Sequence, residues 1–158
     1  GGLVHAHVTH HASDHNAFTA AQKEDSSADF RTMPFGMPGL ETSLPVVFDQ
    51  LVQRGGCRLQ DFVRMTSAGP ARLNGLYPRK GVIAPGSDAD LAIWNRDIEW
   101  VVRAGALHMG TDYSPFEGRP LRGRPTMVLR RGETVFDAFG IHIPKASGEL
   151  LVAGAVDS

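Results

Sequence analysis

Histidine is concentrated at the start of the chain, in a pattern that could bind a metal ion. Five of the seven histidines fall within the first fifteen residues, at positions 5, 7, 10, 11 and 15. The run from Leu3 to His10 alternates apolar and polar residues, which predicts a β-strand. Successive side chains of a strand point to opposite faces, so His5 and His7 would share one face and converge above it. These two histidines are therefore candidate metal ligands, and solvated or structural imidazoles are the alternative.

Asp14 lies where the predicted strand leaves for a polar loop, in the run Ser13-Asp14-His15-Asn16. Barrels built from alternating strands and helices carry their catalytic residues at the carboxyl ends of parallel strands. In a regular strand Asp14 would point away from the face of His5 and His7, so it could not share a metal ion with them. Asp14 is therefore a candidate catalytic residue, and a helix cap or a loop anchor is the alternative.

Other kinds of reactive motif are missing from the sequence. It contains neither a Gly-x-Ser-x-Gly nucleophile turn nor a glycine-rich phosphate loop. The single cysteine, Cys57, excludes an intrachain disulfide and a multi-cysteine zinc site. We interpret Cys57, which follows Gly55-Gly56, as an incidental thiol.

Length, composition and charge narrow the possible classes of protein. The 158 residues, with 42% hydrophobic and 21% charged residues, are sufficient for a folded core and argue against extensive disorder. Sixteen basic and seventeen acidic residues leave a net charge of -1, which disfavours a nucleic-acid partner. No apolar run approaches the roughly 20 residues that span a bilayer. The sequence thus predicts a soluble, cytoplasmic chain with no membrane partner.

The first half of the chain predicts a long loop and then helices. Residues 19–39 are polar, lack periodicity and are broken by prolines and glycines. From Glu41 to Arg54 apolar residues recur at helical spacing, with Thr42 or Ser43 as the expected cap. A shorter helix is expected from about Leu59 to Ser67, with a further helical turn at 70–73.

The second half predicts a small β-module. Residues 81–94 indicate a strand, a tight turn and a second strand, and further strands are expected at 100–102 and 126–129. Residues 130–133 predict a hairpin turn into the strand 134–136. Trp94 and Trp100 at strand positions are interpreted as packing residues.

A series of motifs in unbroken order, over roughly residues 12 to 137, resembles the cyclic amidohydrolases and specifically the dihydropyrimidinase and D-hydantoinase branch. The motifs are Ser13-Asp14-His15, Gln22-Lys23, Asp29-Phe30, Met33-Pro34-Phe35-Gly36, Pro38-Gly39-Leu40-Glu41, Ser67-Ala68-Gly69-Pro70-Ala71-Arg72, Gly75-Leu76-Tyr77-Pro78-Arg79-Lys80-Gly81, Gly86-Ser87-Asp88-Ala89-Asp90-Leu91 and the run from His108 to Gly118. Their order and compatible spacing make the match far more specific than any single short pattern.

The resemblance implies an α/β fold followed by β structure. Residues 1–78 would form the last strand–helix unit of a TIM barrel, residues 79–138 a small β-sandwich, and residues 139–158 a C-terminal tail. A complete barrel takes about 250 residues, so 158 residues cannot supply both a barrel and a sandwich. We therefore expect the C-terminal portion of such an enzyme, inactive without the rest.

The resemblance also implies the reaction and its residues. Such enzymes hydrolyse the C–N bond of a dihydropyrimidine or hydantoin ring, hold two divalent metal ions, expected to be zinc, and form homotetramers. Asp14 matches the aspartate that binds one metal ion and acts as general base. Phe35 and Gly36 match the loop whose main chain contacts the cyclic amide substrate. Family members often carry Asn where this chain has Phe35, which leaves the ring specificity open.

Three alternatives stay open from the sequence. The chain could be a non-catalytic assembly module derived from the same family, or a relative of the allantoinases and dihydroorotases. His5-Ala6-His7 is also similar to the family's first-strand metal pair. We interpret that similarity as coincidence, and an internal deletion that joins the first and eighth strands is the alternative.

Overall fold

The computed structural model describes residues 8–24, 29–142 and 148–154, and shows short helices followed by an antiparallel sheet. The elements are α1 (Ala20–Glu24), α2 (Leu40–Phe48), α3 (Leu59–Val63), α4 (Gly69–Leu73), β1 (Leu91–Val101), β2 (Pro120–Arg130), β3 (Glu133–Asp137) and β4 (Gly140–Ile141). The candidate metal ligands His5 and His7 lie outside the described residues. Among the described residues, no helix has the length and apolar character needed to cross a bilayer.

The predicted helices are confirmed, with differences at their ends. A π-helical turn, Asp49–Gln53, extends α2 almost to the predicted end at Arg54. A second π-helical turn, Arg64–Ala68, joins α3 to α4, so the two predicted helices form one continuous helical stretch. The prediction of Thr42 or Ser43 as the cap is wrong. Gly39 is the N-cap residue of α2 and carries no side chain that could cap the helix.

The β-module is a single antiparallel sheet in the order β1-β2-β3-β4. The strand predicted within residues 81–90 is wrong, because turns and ion pairs hold this segment. The N–H of Asp88 donates to the carbonyl of Arg79 at 2.9 Å, and Lys80 pairs with both Asp88 and Asp90. No second sheet is present in the described part of the chain, so the sandwich stays a prediction.

The predicted hairpin between β2 and β3 is confirmed. Both central residues of its turn have positive φ, 48° at Arg131 and 82° at Gly132. This is the pattern of a type I′ turn, whose twist matches that of the strands it joins. The N–H of Arg131 also donates to the carboxylate of Asp90 at 2.8 Å, which attaches the turn to the start of β1.

A cluster of three aromatic rings joins the helices to the sheet. The Phe48 ring lies 5.3 Å from that of Phe62 and 4.9 Å from that of Trp94, and Phe62 contacts Trp94 edge to face. Gly123 of β2 has φ +93°, and a Cβ there would lie 2.4 Å from Phe48 Cε1. Glycine at position 123 is thus what lets Phe48 pack directly on the backbone of β2.

Asp49, the residue after Phe48, is fully buried and fixes α2 to the same strand. Its Oδ1 accepts the backbone N–H of Arg122 at 3.0 Å, and its Oδ2 accepts from Arg54 Nε and Gln50 Nε2, each at 2.7 Å. Burial is the largest single influence on the Asp49 carboxyl and favours its neutral form. The hydrogen bonds from Arg54, Gln50 and Arg122 together outweigh burial. They hold the pKa of Asp49 below its usual range.

We expect Asp49→Asn to lower the free energy of unfolding by about 1–3 kcal/mol at pH 7, because the charge-assisted hydrogen bonds are lost. The folded pKa of Asp49 is below its unfolded value of about 3.9, so its contribution is complete above that pH. The contribution is lost as the pH falls through the folded pKa. Urea unfolding at pH 7 and pH 3 measures the difference.

The control for this prediction is Asp97→Asn, which removes the exposed partner of the Arg122 guanidinium, 2.8 Å away. Asp97 is 82% exposed, so its ion pair is screened by water and salt and we expect a much smaller loss. Equal losses for the two variants, or an Asp49→Asn effect that does not shrink at low pH, would contradict the role assigned to Asp49.

Candidate active site

Asp14 lies on a segment that has no regular secondary structure from Val8 to Asp14. The predicted first strand is therefore wrong for residues 8–10, the part of it that the structure describes. A strand requires a hydrogen-bonded neighbouring strand. What the structure shows is an isolated parallel bridge between His15 and Met37. Asp14 itself is exposed and has φ +47°, a left-handed conformation that aspartate tolerates better than most residues.

His15 attaches this segment to the start of α2. Its Nδ1 accepts the backbone N–H groups of Gly39 at 3.1 Å and Leu40 at 3.2 Å. These groups lie at the N-terminus of the helix, where backbone donors lack partners within the helix. His15 thus supplies the cap that Gly39 cannot. Because Nδ1 accepts, the proton of the neutral ring lies on Nε2.

His11 attaches the residues that precede Asp14 to the helical part of the structure. Its backbone N–H donates to the carbonyl of Met65 at 2.9 Å, and its ring Nε2 is hydrogen-bonded to Ser43 Oγ in α2. A cavity of about 120 Å³, lined in part by Phe116, lies beside this pair. Burial lowers the pKa of His11, which favours the neutral ring.

The loop that contains Phe35 and Gly36 lies against the residues that follow Asp14. The N–H of Asn16 donates to the carbonyl of Met37 at 3.1 Å, and Lys23 Nζ donates to the carbonyl of Pro34 at 2.7 Å. The backbone groups of Phe35 and Gly36 make no hydrogen bond to any described residue. The Phe35 side chain is 75% exposed. The structure thus brings this predicted substrate loop beside the Asp14 segment, with the backbone N–H and C=O groups of Phe35 and Gly36 unpaired among the described residues.

The segment 19–39, expected to be a loop throughout, contains α1. The N–H of Thr19 donates to Gln22 Oε1 at 2.8 Å, and the N–H of Gln22 donates to Thr19 Oγ1 at 3.2 Å. This reciprocal capping box begins the helix, and the Thr-x-x-Gln spacing was the signal that could have predicted it. The N–H of Ala20 donates to Asp112 Oδ1 at 2.9 Å, which attaches α1 to the segment between β1 and β2.

The same segment between β1 and β2 also contacts the first turn of α2. The backbone N–H of His108 donates to Glu41 Oε2 at 2.6 Å, and its ring Nδ1 lies 3.0 Å from Glu41 Oε1. Glu41 is in the first helical turn, where a negative charge is favoured by the helix dipole. The sheet therefore supports the loops around Asp14 through α1 and α2.

The sequence and the fold of this chain match those of known proteins. The amidohydrolase family model matches residues 26–135. The chain belongs to the amidohydrolase family. It is 43% identical over 126 residues to a D-phenylhydantoinase of Escherichia coli O1:K1, across 79% of this chain and 27% of that protein. It is 39% identical over 127 residues to a D-hydantoinase of Rhizobium radiobacter, across 80% of this chain and 28% of that protein.

Solved structures agree with the sequence relatives of this amidohydrolase chain. A D-hydantoinase (dihydropyrimidinase) from Thermus sp. has a TM-score of 0.91 at 33% identity, over 95% of this chain and 33% of that one. An L-hydantoinase from Arthrobacter aurescens has a TM-score of 0.79 at 35% identity, over 96% and 32%. The predicted resemblance is confirmed, and the chain spans about a quarter to a third of the length of these relatives.

The described residues do not by themselves form a metal site. No group of three or more His, Cys, Asp or Glu side chains within residues 8–24, 29–142 and 148–154 could hold an ion. Asp14 offers one carboxylate, and protein metal sites of this kind need at least three protein ligands. Cys57 is a buried free thiol whose Sγ lies 3.7 Å from the carbonyl of Arg58, and its incidental role stays a prediction.

We expect Gly36→Ala to release the loop from the Asp14 segment. Gly36 has φ +83°, and a Cβ there would lie 2.3 Å from Asn16 Nδ2 and 2.9 Å from Asn16 Cβ. Rotation of the Asn16 side chain relieves the first contact but not the second, so the loop must shift away. Hydrogen exchange of the Asn16 amide should become about tenfold faster or more, because about 1–3 kcal/mol of strain favours local opening. Exchange followed by mass spectrometry measures this directly.

Gly132→Ala is the matched control for this change. Gly132 has φ +82°, but a Cβ there would meet nothing within 4 Å. It carries the same backbone strain without the close approach, so exchange at Asn16 should stay unchanged. Unchanged exchange in Gly36→Ala would show that the loop does not depend on this contact.

Proposed function

We propose that this chain forms the C-terminal part of a metal-dependent enzyme that hydrolyses the C–N bond of a cyclic amide, a dihydropyrimidine or a hydantoin. Residues 1–78 would supply the last strand–helix unit of its TIM barrel, residues 79–138 would belong to its β-sandwich, and residues 139–158 would form the tail. The hydantoinase relatives support this reaction class. The observation that carries it is the exposed Asp14 beside a loop in which the backbone N–H and C=O groups of Phe35 and Gly36 are unpaired among the described residues.

Asp14 is proposed as the general base and as one metal ligand. Its carboxylate would take a proton of the attacking water at an Oδ atom as the water oxygen bonds to the amide carbon, and would return that proton to the ring nitrogen as the C–N bond breaks. Exposure suits this role, because the group must reach both the substrate and an ion. The remaining ligands of a divalent metal centre, proposed as two zinc ions, would come from the rest of the complete enzyme.

Phe35 and Gly36 are proposed to bind the substrate through their main chain. An amide edge of the ring offers a C=O and an N–H, which match a backbone N–H donor and a backbone C=O acceptor. Both kinds of group are unpaired in this loop, among the described residues. Since the peptide groups make the contact, Phe35 in place of the more frequent Asn is compatible with binding.

Exposed apolar side chains near the end of the chain support a homo-oligomeric enzyme. Phe139, Leu150 and Val152 are almost fully exposed. Large apolar side chains left in water favour association with another protein surface. The covering surface would belong to the rest of the complete enzyme or to a second copy of it, and we propose a homo-oligomer because the resemblance implies a tetramer.

Asp14→Asn in the complete enzyme tests the proposed reaction. We expect kcat for dihydrouracil and for substituted hydantoins to fall by about 10²–10⁴-fold or more, because the general base is removed. The control is Asp97→Asn, a carboxylate in β1 that is 82% exposed, which should leave kcat unchanged. If the unaltered enzyme, with metal bound, hydrolyses neither kind of ring, the substrate assignment is wrong.

Metal content tests the proposed division of the ligands. After dialysis against metal-free buffer, we expect about two ions per chain in the complete enzyme, as two-metal hydrolases require. The 158-residue chain alone should retain no stoichiometric metal, because its described residues offer one carboxylate at the site. Elemental mass spectrometry measures both. Two ions in the isolated chain would instead show that His5 and His7 take part in a site.

A further inference from the structure

We propose that His11 and His15 are positioning residues that hold Asp14 in place by joining the chain on either side of it to the first turn of α2. The inference rests on the proposed function, since the catalytic role of Asp14 is itself proposed there. It concerns neither metal binding nor proton transfer by the histidines. Their role is to restrict where the Asp14 carboxylate can lie.

Within the part of the chain that the structure describes, the Asp14 carboxylate has no contact of its own that would fix its position. It accepts no hydrogen bond from any described residue, it is exposed, and its backbone is in a left-handed conformation. A residue of this kind takes its place from the anchors of its neighbours. Those anchors are therefore where the precision of the site must be sought.

The two histidines bind to a single helical turn. His15 Nδ1 accepts the N–H groups of Gly39 and Leu40. His11 Nε2 is hydrogen-bonded to Ser43 Oγ, and the N–H of Ser43 in turn donates to the carbonyl of Gly39 at 2.7 Å. Because one rigid turn carries both partners, the distance between the two anchors is constant, and Asp14 is held between them.

The ring nitrogens engaged in these contacts are different, which gives a sharp test. The side-chain oxygen of asparagine can take the position of a histidine Nδ1, and the amide end of glutamine can take that of Nε2. Asparagine should therefore replace His15 and glutamine should replace His11. The same two residues exchanged between the positions should fail, so each position supplies the control for the other.

The experiment uses the complete enzyme, with dihydrouracil or a substituted hydantoin as substrate, and records kcat, KM and the unfolding temperature. We expect His15→Asn and His11→Gln to keep kcat within about threefold. His15→Gln and His11→Asn should lower kcat at least tenfold, since a displacement of about 1 Å can cost as much as 100-fold. KM should change little, because Lys23 and Asn16 still hold the substrate loop.

The same rank order in unfolding temperature with unchanged kcat would show that the histidines only stabilise the fold, and would overturn the proposal. If His11→Asn does not fold, Ser43→Ala removes the same hydrogen bond from the helix side and should lower kcat to a similar extent. Unchanged kcat in Ser43→Ala would also overturn the proposal.

Asp14→Asn distinguishes a failure of the proposed function from a failure of the positioning role. Full activity in that variant refutes the role of Asp14 itself. An inactive Asp14→Asn with four fully active histidine variants refutes only the positioning.

Discussion

The attachment of the C-terminal end of α2 to strand β2 is the constraint on which the rest of the structure depends. Phe48 packs against the backbone of Gly123, and the neighbouring Asp49 accepts the N–H of Arg122. A buried carboxylate is costly unless every lone pair finds a donor, and here Arg54 and Gln50 supply the remaining donors. The contact is therefore directional as well as apolar, and it sets the position of α2 along the sheet.

The first turn of α2 transmits that position to the candidate site. Glu41 holds the segment between β1 and β2 through His108, while Gly39, Leu40 and Ser43 hold the residues around Asp14. One helix of nine residues thus connects the sheet to the loops that carry the proposed chemistry.

Sequence patterns predicted the elements whose signals are local. The apolar spacing from Glu41 to Arg54 predicted one helix, which the structure divides into α2 and a π-helical turn, and Arg131-Gly132 predicted the hairpin turn. Two predictions of strands failed where contacts outside the alternating residue pattern decide the structure. Ion pairs from Lys80 hold residues 81–90 as turns, and the segment that ends at Asp14 lacks a neighbouring strand in the described part of the chain.

The sequence by itself determined the family, the helices α2 to α4, the hairpin between β2 and β3, and the motif that singles out Asp14, because these depend on residue type and short spacing. The tertiary structure alone decided that His15 caps a helix 25 residues away and that His11 is paired with Ser43. It also decided that the peptide groups of Phe35 and Gly36 are unpaired among the described residues. Hydrogen bonds between segments far apart in sequence form only once the chain has packed, so no local pattern contains them.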